Sequence, residues 1–125
     1  MAAYLTLRIE LERGRLGHGK VELLEHIART GSLAAAARAM KMSYKRAWEL
    51  LAVTNDMFTE PVSVSLPGRN VEGSTQLTSF GERIVALYRT IEIRASRATA
   101  VAMQELDTVS RPLRRAGRAS ARKRA

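Results

Sequence analysis

The sequence predicts a mainly α-helical fold with one small β-hairpin. Three observations support this prediction. Residues 31–54 have the spacing of two short helices joined by a turn, residues 62–77 alternate like two strands around a loop, and residues 78–106 carry the longest helical periodicity of the chain. The 125 residues suffice for one domain and an appendage. We therefore expect one domain over residues 1–106 and a tail over residues 107–125.

A strand and a helix are predicted before the helix pair. Residues 4–12 alternate between polar and apolar side chains, as a half-buried strand does, and the glycines that follow predict a turn. Residues 20–29 have helical periodicity, and Gly31 is a suitable C-terminal stop. The apolar positions of this helix are Val21, Leu24 and Ile27. We expect it to lie across the helix pair.

Residues 31–54 have the layout of a helix-turn-helix. Ser32 and Ser43 are expected N-caps, because a serine oxygen accepts a free N–H of the opening turn. The first helix has one face of small and apolar side chains: Leu33, Ala36, Ala37 and Met40. In this layout the second helix presents its N-terminal residues to the major groove of DNA. On this segment alone, an ordinary helical hairpin with a solvated charged face stays open as the alternative.

The second helix of the pair is predicted to present basic residues. The side chains expected to face inward are Ala47, Trp48, Leu50 and Leu51, and those left to face outward are Tyr44, Lys45, Arg46 and Glu49. Arg46 can pair with a guanine, and Lys45 can contact a phosphate or a base. Tyr44 is expected to contact a phosphate or to lie at the rim of the groove.

A β-wing is predicted directly after the helix-turn-helix. Residues 55–61 contain helix-breaking residues, which place the end of the second helix near Thr54. The loop inside residues 62–77 is rich in turn-forming residues, and Arg69 and Asn70 lie near its tip. There they can reach a phosphate or the minor groove. A plain surface hairpin is the alternative. The expected DNA-binding residues are Ser32, Ser43, Tyr44, Lys45, Arg46, Arg69 and Asn70.

Residues 78–106 predict one long C-terminal helix with Thr78 or Ser79 as its cap. Its apolar line consists of Phe80, Ile84, Leu87, Ile91, Ala95, Ala98 and Ala102. About 28 residues at about 1.5 Å each give roughly 42 Å, more than so small a domain covers. The helix over residues 80–102 is therefore expected to form a homodimer, which also suits two DNA half-sites. A helix that folds back on its own domain is the alternative.

The charge is concentrated in the tail. The net charge is +9 and the pI is near 11.0, and seven of the 21 basic residues follow Ser110 whereas none of the 12 acidic residues does. We expect this tail to be disordered and to attract phosphates without sequence preference. A non-specific, nucleoid-type nucleic-acid-binding protein driven by the tail is therefore the alternative function. A module that dimerises with a longer relative is a third possibility.

Several functional classes are not expected. The chain has no cysteine for a disulfide or a thiolate metal site, and His18 and His26 lack partners at ligand spacing. We therefore expect no enzymatic activity, no metal, no cofactor and no small-molecule ligand in this chain. No apolar run is long enough to span a bilayer, and no signal-peptide pattern is present. We expect a soluble cytoplasmic protein without a membrane partner.

Specific motifs resemble the ModE family of molybdate-responsive bacterial regulators. Residues 43–48, SYKRAW, preceded by GSLAAAARAMKM, match that family's SYKxAW run, and residues 77–88 follow its LTxxGxxxxxLY pattern. The resemblance covers about residues 4–105 and is shared more loosely with LysR-type regulators. It implies a winged helix-turn-helix transcription factor that dimerises through its long helix, with Trp48 mainly packing. Full-length members carry a C-terminal molybdate-binding module where this chain has its basic tail, so a form without that module is expected.

Overall fold

The computed structural model of the chain describes residues 2–66 and 74–113. The elements of this part are β1 (Arg8–Leu11), β2 (Gly14–Gly17), α1 (His18–Thr30), α2 (Leu33–Ala39), α3 (Tyr44–Met57), β3 (Ser63–Ser65), β4 (Thr75–Leu77), α4 (Ser79–Ala98) and α5 (Ala100–Val109). The strands form two antiparallel pairs, β1 with β2 and β3 with β4. This mainly helical architecture with a wing-like hairpin is compatible with the predicted winged helix.

The N-terminal strand differs from the prediction. β1 begins at Arg8, and it pairs with a second strand, β2, in a segment that was expected to be a turn. Gly14, opposite Leu11 in this hairpin, lies against α3: a Cβ atom at Gly14 would be 3.0 Å from the Cγ and Sδ atoms of Met57. A glycine in this strand therefore serves close packing between elements, which the sequence pattern alone presents as a turn signal.

Helix α1 supplies the centre of the core. Its fully buried side chains are Val21, Leu23, Leu24 and Ile27, and the helix packs against α2, α3, α4 and β4. It ends as predicted at Gly31, which has a φ of 71° and donates its N–H to the Ile27 carbonyl at 2.8 Å. Glycine is favoured at this left-handed position because it has no Cβ atom.

Helix α3 is longer than predicted. It continues to Met57, so Asn55 and Asp56 lie inside the helix and do not end it. Thr54 and Met57 are both buried in the interior. Burial of this last turn outweighs the weak helix propensity of asparagine and aspartate, which differs from that of good helix formers by only about 0.5 kcal/mol per residue.

The start of α4 is fixed against the segment that enters the wing. The Thr78 hydroxyl caps α4 by accepting the Gly81 N–H at 2.9 Å, and it donates to the Pro61 carbonyl at 2.8 Å. A Cβ atom at Gly81 would lie only 2.0 Å from the Val62 carbonyl oxygen. Gly81 thus allows a contact between two backbones that no larger residue permits.

The predicted single C-terminal helix is present as two helices that meet at Thr99. Thr99 has φ −106° and ψ 8°, and its hydroxyl donates to the Ala95 carbonyl at 2.8 Å. Such bonds compete with the helical ladder and bend helices. Leu87 and Ile91 of the predicted apolar line are 48% and 44% exposed, and α5 has no buried residue. The buried residues of α4 are Gly81, Ile84 and Tyr88.

Candidate nucleic-acid interface

The turn between α2 and α3 has a defined hydrogen-bond pattern. Met42 donates its N–H to the Ala37 carbonyl at 3.0 Å, and Lys41 donates to the Arg38 carbonyl at 3.1 Å. These two bonds form a Schellman motif, with Lys41 in the left-handed region at a φ of 56°. The turn is therefore short and well determined, and it places Ser43 directly at the start of α3.

Serine caps begin both helices, as predicted. The Ser32 hydroxyl accepts the Ala35 N–H at 3.0 Å, and the Ser43 hydroxyl accepts the Arg46 N–H at 3.0 Å. Each bond satisfies a backbone N–H that the opening turn leaves free. The Ser43 cap thereby orders the backbone that carries the basic side chains.

The start of α3 is exposed to solvent. Tyr44, Lys45, Arg46 and Glu49 face outward as predicted, and Ala47 is fully buried. Trp48 contradicts the prediction, because its side chain is 56% exposed. The buried residues of α3 follow the line of Ala47, Leu51 and Thr54, and Trp48 lies beside this line, on the solvent side of the helix.

Four cations lie close in sequence to this exposed surface. They lie on α2, in the turn and on the first turn of α3: Arg38, Lys41, Lys45 and Arg46. All four side chains are exposed, and none of them forms an ion pair within the described part of the chain. Exposed cations without acidic partners are available for phosphate groups.

Asn55 connects α3 to the wing. Its side-chain oxygen accepts the N–H groups of Val62 at 2.7 Å and Ser63 at 3.2 Å, and its amide nitrogen donates to the Ser63 hydroxyl at 3.2 Å. These bonds hold β3 in a set position relative to α3. The sequence prediction missed this role because it interpreted Asn55 as a helix breaker, and nothing in the neighbouring sequence indicates partners seven and eight residues further on.

The other side of the wing is tied to the start of α2. Thr75 donates its N–H to the Gly31 carbonyl at 3.1 Å, and Ser32 forms an isolated antiparallel bridge with Ser74. Ser32 is therefore placed next to the wing, whereas Ser43, Tyr44, Lys45 and Arg46 lie together at the start of α3. The predicted wing-tip residues Arg69 and Asn70 lie outside the described residues, and their contact with DNA stays a prediction.

The described residues contain no metal-binding cluster and no helix that could span a membrane. Among residues 2–66 and 74–113, no group of three or more histidine, aspartate or glutamate side chains is placed to hold a metal ion. His18 contacts Glu22 at 3.5 Å, and His26 contacts Arg29 at 2.8 Å. In the same ranges, no helix has the length and apolar composition needed to cross a membrane.

Comparison with known proteins identifies relatives of this domain. The chain is 39% identical over 95 residues to the molybdenum transport protein ModE of Azotobacter vinelandii, which covers 76% of this chain and 35% of that protein. It is 42% identical over 86 residues to the molybdenum-pterin-binding protein MopB of Rhodobacter capsulatus, which covers 67% of this chain and 32% of that protein. The chain carries the N-terminal domain of the ModE family.

Another relative of the ModE family is named as a regulator. The chain is 29% identical over 89 residues to the DNA-binding transcriptional dual regulator ModE of Escherichia coli K12, which covers 70% of this chain and 34% of that protein. The chain thus spans about a third of the length of these relatives. No protein-family model matches the chain.

The structure assigns different positions to the residues of the ModE-type SYKRAW run. Ser43 caps α3, Ala47 is fully buried, and Lys45 and Arg46 are exposed. The expectation that Trp48 mainly packs is wrong, because more than half of its side chain faces solvent. This run therefore combines a helix start, a close helix contact and an exposed surface within six residues.

Proposed function

We propose that the protein is a sequence-specific DNA-binding transcriptional regulator of the ModE type. It binds as a dimer through the helix-turn-helix of about residues 32–54 and the wing of about residues 62–77. The observation that carries this proposal is the capped start of α3, where Lys45 and Arg46 are exposed without acidic partners. Residues 1–106 form the DNA-binding domain, and residues 107–125 form a basic tail.

The proposed contacts differ among the site residues. Arg46 contacts a base edge, in the geometry that suits guanine, and Lys45 contacts a phosphate or a neighbouring base. Ser43 and Tyr44, at the start of α3, approach the sugar-phosphate backbone of the DNA, and Ser32 lies behind them. The wing residues Arg69 and Asn70 reach the adjacent groove of the DNA. Because the relatives are named ModE, promoters of molybdenum-related genes are the first candidates for the protein's binding sites. These sites lie on chromosomal DNA in the bacterial cytoplasm.

Exposed apolar surface on α4 and α5 supports the proposed homodimer. Leu87 and Ile91 face solvent on α4, and Val101 on α5 is 80% exposed. A groove of about 750 Å³ separates the N-terminal segment from α4 and α5, with Tyr4 and Ile93 among its lining residues. A second copy would remove this apolar surface from water, and two-fold symmetry would place two α3 helices on two half-sites.

The proposal is tested by selecting duplexes from a randomised pool with the full chain and measuring affinities by fluorescence anisotropy. Arg46→Ala should weaken binding to the selected duplex by about 1–3 kcal/mol and relax the preference at one base pair. Arg94→Ala is the matched control, because Arg94 is also exposed but lies on α4. Equal losses for Arg46→Ala on selected and random duplexes would contradict a base contact.

A second variant separates the tail from the helix-turn-helix. In the full chain, glutamine replaces all seven basic residues of the tail: Arg111, Arg114, Arg115, Arg118, Arg122, Lys123 and Arg124. We expect this variant to keep its sequence preference with a shallower salt dependence, because the tail contributes only non-specific phosphate attraction. Loss of all binding would favour the non-specific, tail-driven function.

A further inference from the structure

Two exposed aromatic side chains lie on the same side of α3. Trp48 is 56% exposed and Tyr44 is 49% exposed, and they are separated by one helical turn. In the described part of the chain, neither the indole N–H nor the phenol O–H has a hydrogen-bond partner. Adjacent large aromatics that remain exposed indicate a binding surface, since their burial elsewhere would be favourable.

These aromatics border a preformed groove between α3 and the wing. The groove has a volume of about 380 Å³, with Tyr44, Trp48 and Asn55 on its α3 side and Ser63 and Ser65 on its wing side. Its described lining contains no charged side chain. The Asn55 hydrogen bonds to β3 determine the distance between the two sides. The groove is thus an uncharged surface whose α3 side and wing side are connected by hydrogen bonds.

The charges around the groove identify the class of its occupant. The four unpaired cations on α2, the turn and α3, namely Arg38, Lys41, Lys45 and Arg46, are next to the exposed aromatics along the chain. An apolar protein surface would leave these cations without counter-charges. Duplex DNA offers phosphates for the cations and, in its major groove, the thymine C5-methyl group as an apolar partner.

We propose that Trp48 contacts a thymine methyl group in the major groove and contributes to sequence preference. The inference rests on the proposed function and adds an apolar base contact to the polar contacts of Lys45 and Arg46. Trp48 lies three residues after Lys45, about 4.5 Å along the helix axis. This distance is close to the base-pair rise of about 3.4 Å. The thymine therefore lies about one or two base pairs from the position contacted by Lys45.

The first test uses the fluorescence of Trp48, the single tryptophan of the chain. The full chain is titrated with the duplex selected from the randomised pool and, separately, with a random duplex. We expect the selected duplex to shift the emission to shorter wavelength and to protect the indole from acrylamide quenching. Equal protection by the random duplex would overturn a role in base recognition. Protection that grows with protein concentration without DNA would assign this surface to a second copy and also overturn the inference.

The second test removes single methyl groups from the DNA. Each thymine of the selected duplex is replaced in turn by deoxyuridine, which lacks only the C5-methyl group. For the wild-type chain we expect one thymine per half-site whose replacement lowers affinity about fourfold, the equivalent of about 0.8 kcal/mol for one methyl group. Trp48→Ala should bind the unmodified duplex at least about fourfold more weakly and show no further loss at that thymine.

Two variants serve as controls for this experiment. Val53→Ala removes another exposed apolar side chain of α3 that does not line the groove, so it should keep the wild-type response to deoxyuridine. Trp48→Phe should retain part of the response, because a smaller ring still contacts the methyl group. It also keeps the test decisive if Trp48→Ala fails to fold, which circular dichroism and thermal unfolding would reveal.

The outcomes separate this inference from the proposed function. Suppose that Arg46→Ala weakens selective binding, but the Trp48 variants respond to deoxyuridine at every thymine as the wild-type chain does. The proposed thymine contact is then wrong, and the regulator proposal stands. If the randomised pool yields no enriched sequence, both proposals are wrong. If the deoxyuridine effect occurs at one thymine and disappears with Trp48, the contact is established.

Discussion

The first half of α4 and the whole of α5 have similar helical patterns but different surroundings. α4 buries Gly81, Ile84 and Tyr88 against the domain, whereas α5 buries no residue. A helical pattern indicates which side chains share a face, but the partner of that face depends on the tertiary structure. The comparison shows that α4 is held by buried side chains, whereas α5 contacts the N-terminal segment through an exposed hydrogen bond, from the Ala3 N–H to Asp107 at 3.2 Å.

Two polar contacts anchor α4. The fully buried Tyr88 donates its hydroxyl to the Leu7 carbonyl at 2.7 Å, and burial raises the pKa of this tyrosine. Arg89 forms a two-bond pair with Glu25 of α1, with Nε–Oε2 and Nη2–Oε1 distances of 2.9 and 2.7 Å. Hydrogen bonding to Arg89 lowers the pKa of Glu25. Arg89 also forms an ion pair with Glu92 of α4 at 2.7 Å, so one guanidinium group contacts a carboxylate on each of the two helices.

The largest expected effect comes from Tyr88→Ala, which leaves a cavity in the core and an unpaired Leu7 carbonyl. We expect it to reduce the free energy of unfolding by about 3–5 kcal/mol, measured by urea denaturation. The matched variant on α5, Leu106→Ala, should change it by less than about 0.5 kcal/mol in dilute solution, because Leu106 is exposed. A similar loss for both variants would contradict the difference between the two helices.

A pair of glycine substitutions tests the close approach of α4 to the domain. Gly81→Ala should reduce the free energy of unfolding by about 1–3 kcal/mol, because the added Cβ atom meets the Val62 carbonyl. Gly19→Ala in α1 is the control, since a Cβ atom there has no neighbour within 4 Å. It should stabilise the protein by about 0.5–1 kcal/mol through helix propensity. Stabilisation by both substitutions would argue against the tight contact.

The Glu25–Arg89 pair predicts a dependence of stability on pH. Because the pKa of folded Glu25 lies below its ordinary value of 4.5, the pair stabilises the protein fully above pH 4.5. This contribution decreases as the pH falls through the lower, folded pKa. Glu25→Gln should cost about 1 kcal/mol at neutral pH and progressively less towards acid, measured by urea denaturation at several pH values.

The control for this titration is Glu49→Gln, an exposed carboxylate that forms no ion pair within the described residues. The free energy of unfolding of this variant should depend on pH in the same way as that of the wild-type chain. If Glu25→Gln costs the same at every pH between 3 and 7, the ionised pair is not what anchors α4 to α1.

The smallest expected effect concerns the boundary between the two helices. Thr99→Ala removes the hydroxyl that bonds to the Ala95 carbonyl and should stabilise the helical segment by about 0.5 kcal/mol, with a small gain in helical circular dichroism. Thr90→Ala, at an exposed position inside α4, controls for helix propensity. An equal gain from both variants would mean that the Thr99 hydroxyl does not cause the boundary.

Local features of the fold were predictable from the sequence. The Ser32 and Ser43 caps, the Gly31 stop and the outward position of Lys45 and Arg46 all agree with the prediction. Each depends on hydrogen bonds or spacing within a few residues, so the neighbouring sequence contains the information. The SYKRAW motif of the ModE family was also recognisable from the sequence, because its residues are consecutive.

Features that depend on which elements meet were not predictable in this way. Trp48 is exposed because it lies beside the buried line of Ala47, Leu51 and Thr54, and β2 is a strand because it pairs with β1. Asn55 holds the wing through partners seven and eight residues away. Local sequence therefore determined the helix caps, the start of α3 and its basic surface. Tertiary structure alone decided which apolar faces are covered, since the available space depends on residues distant in the chain.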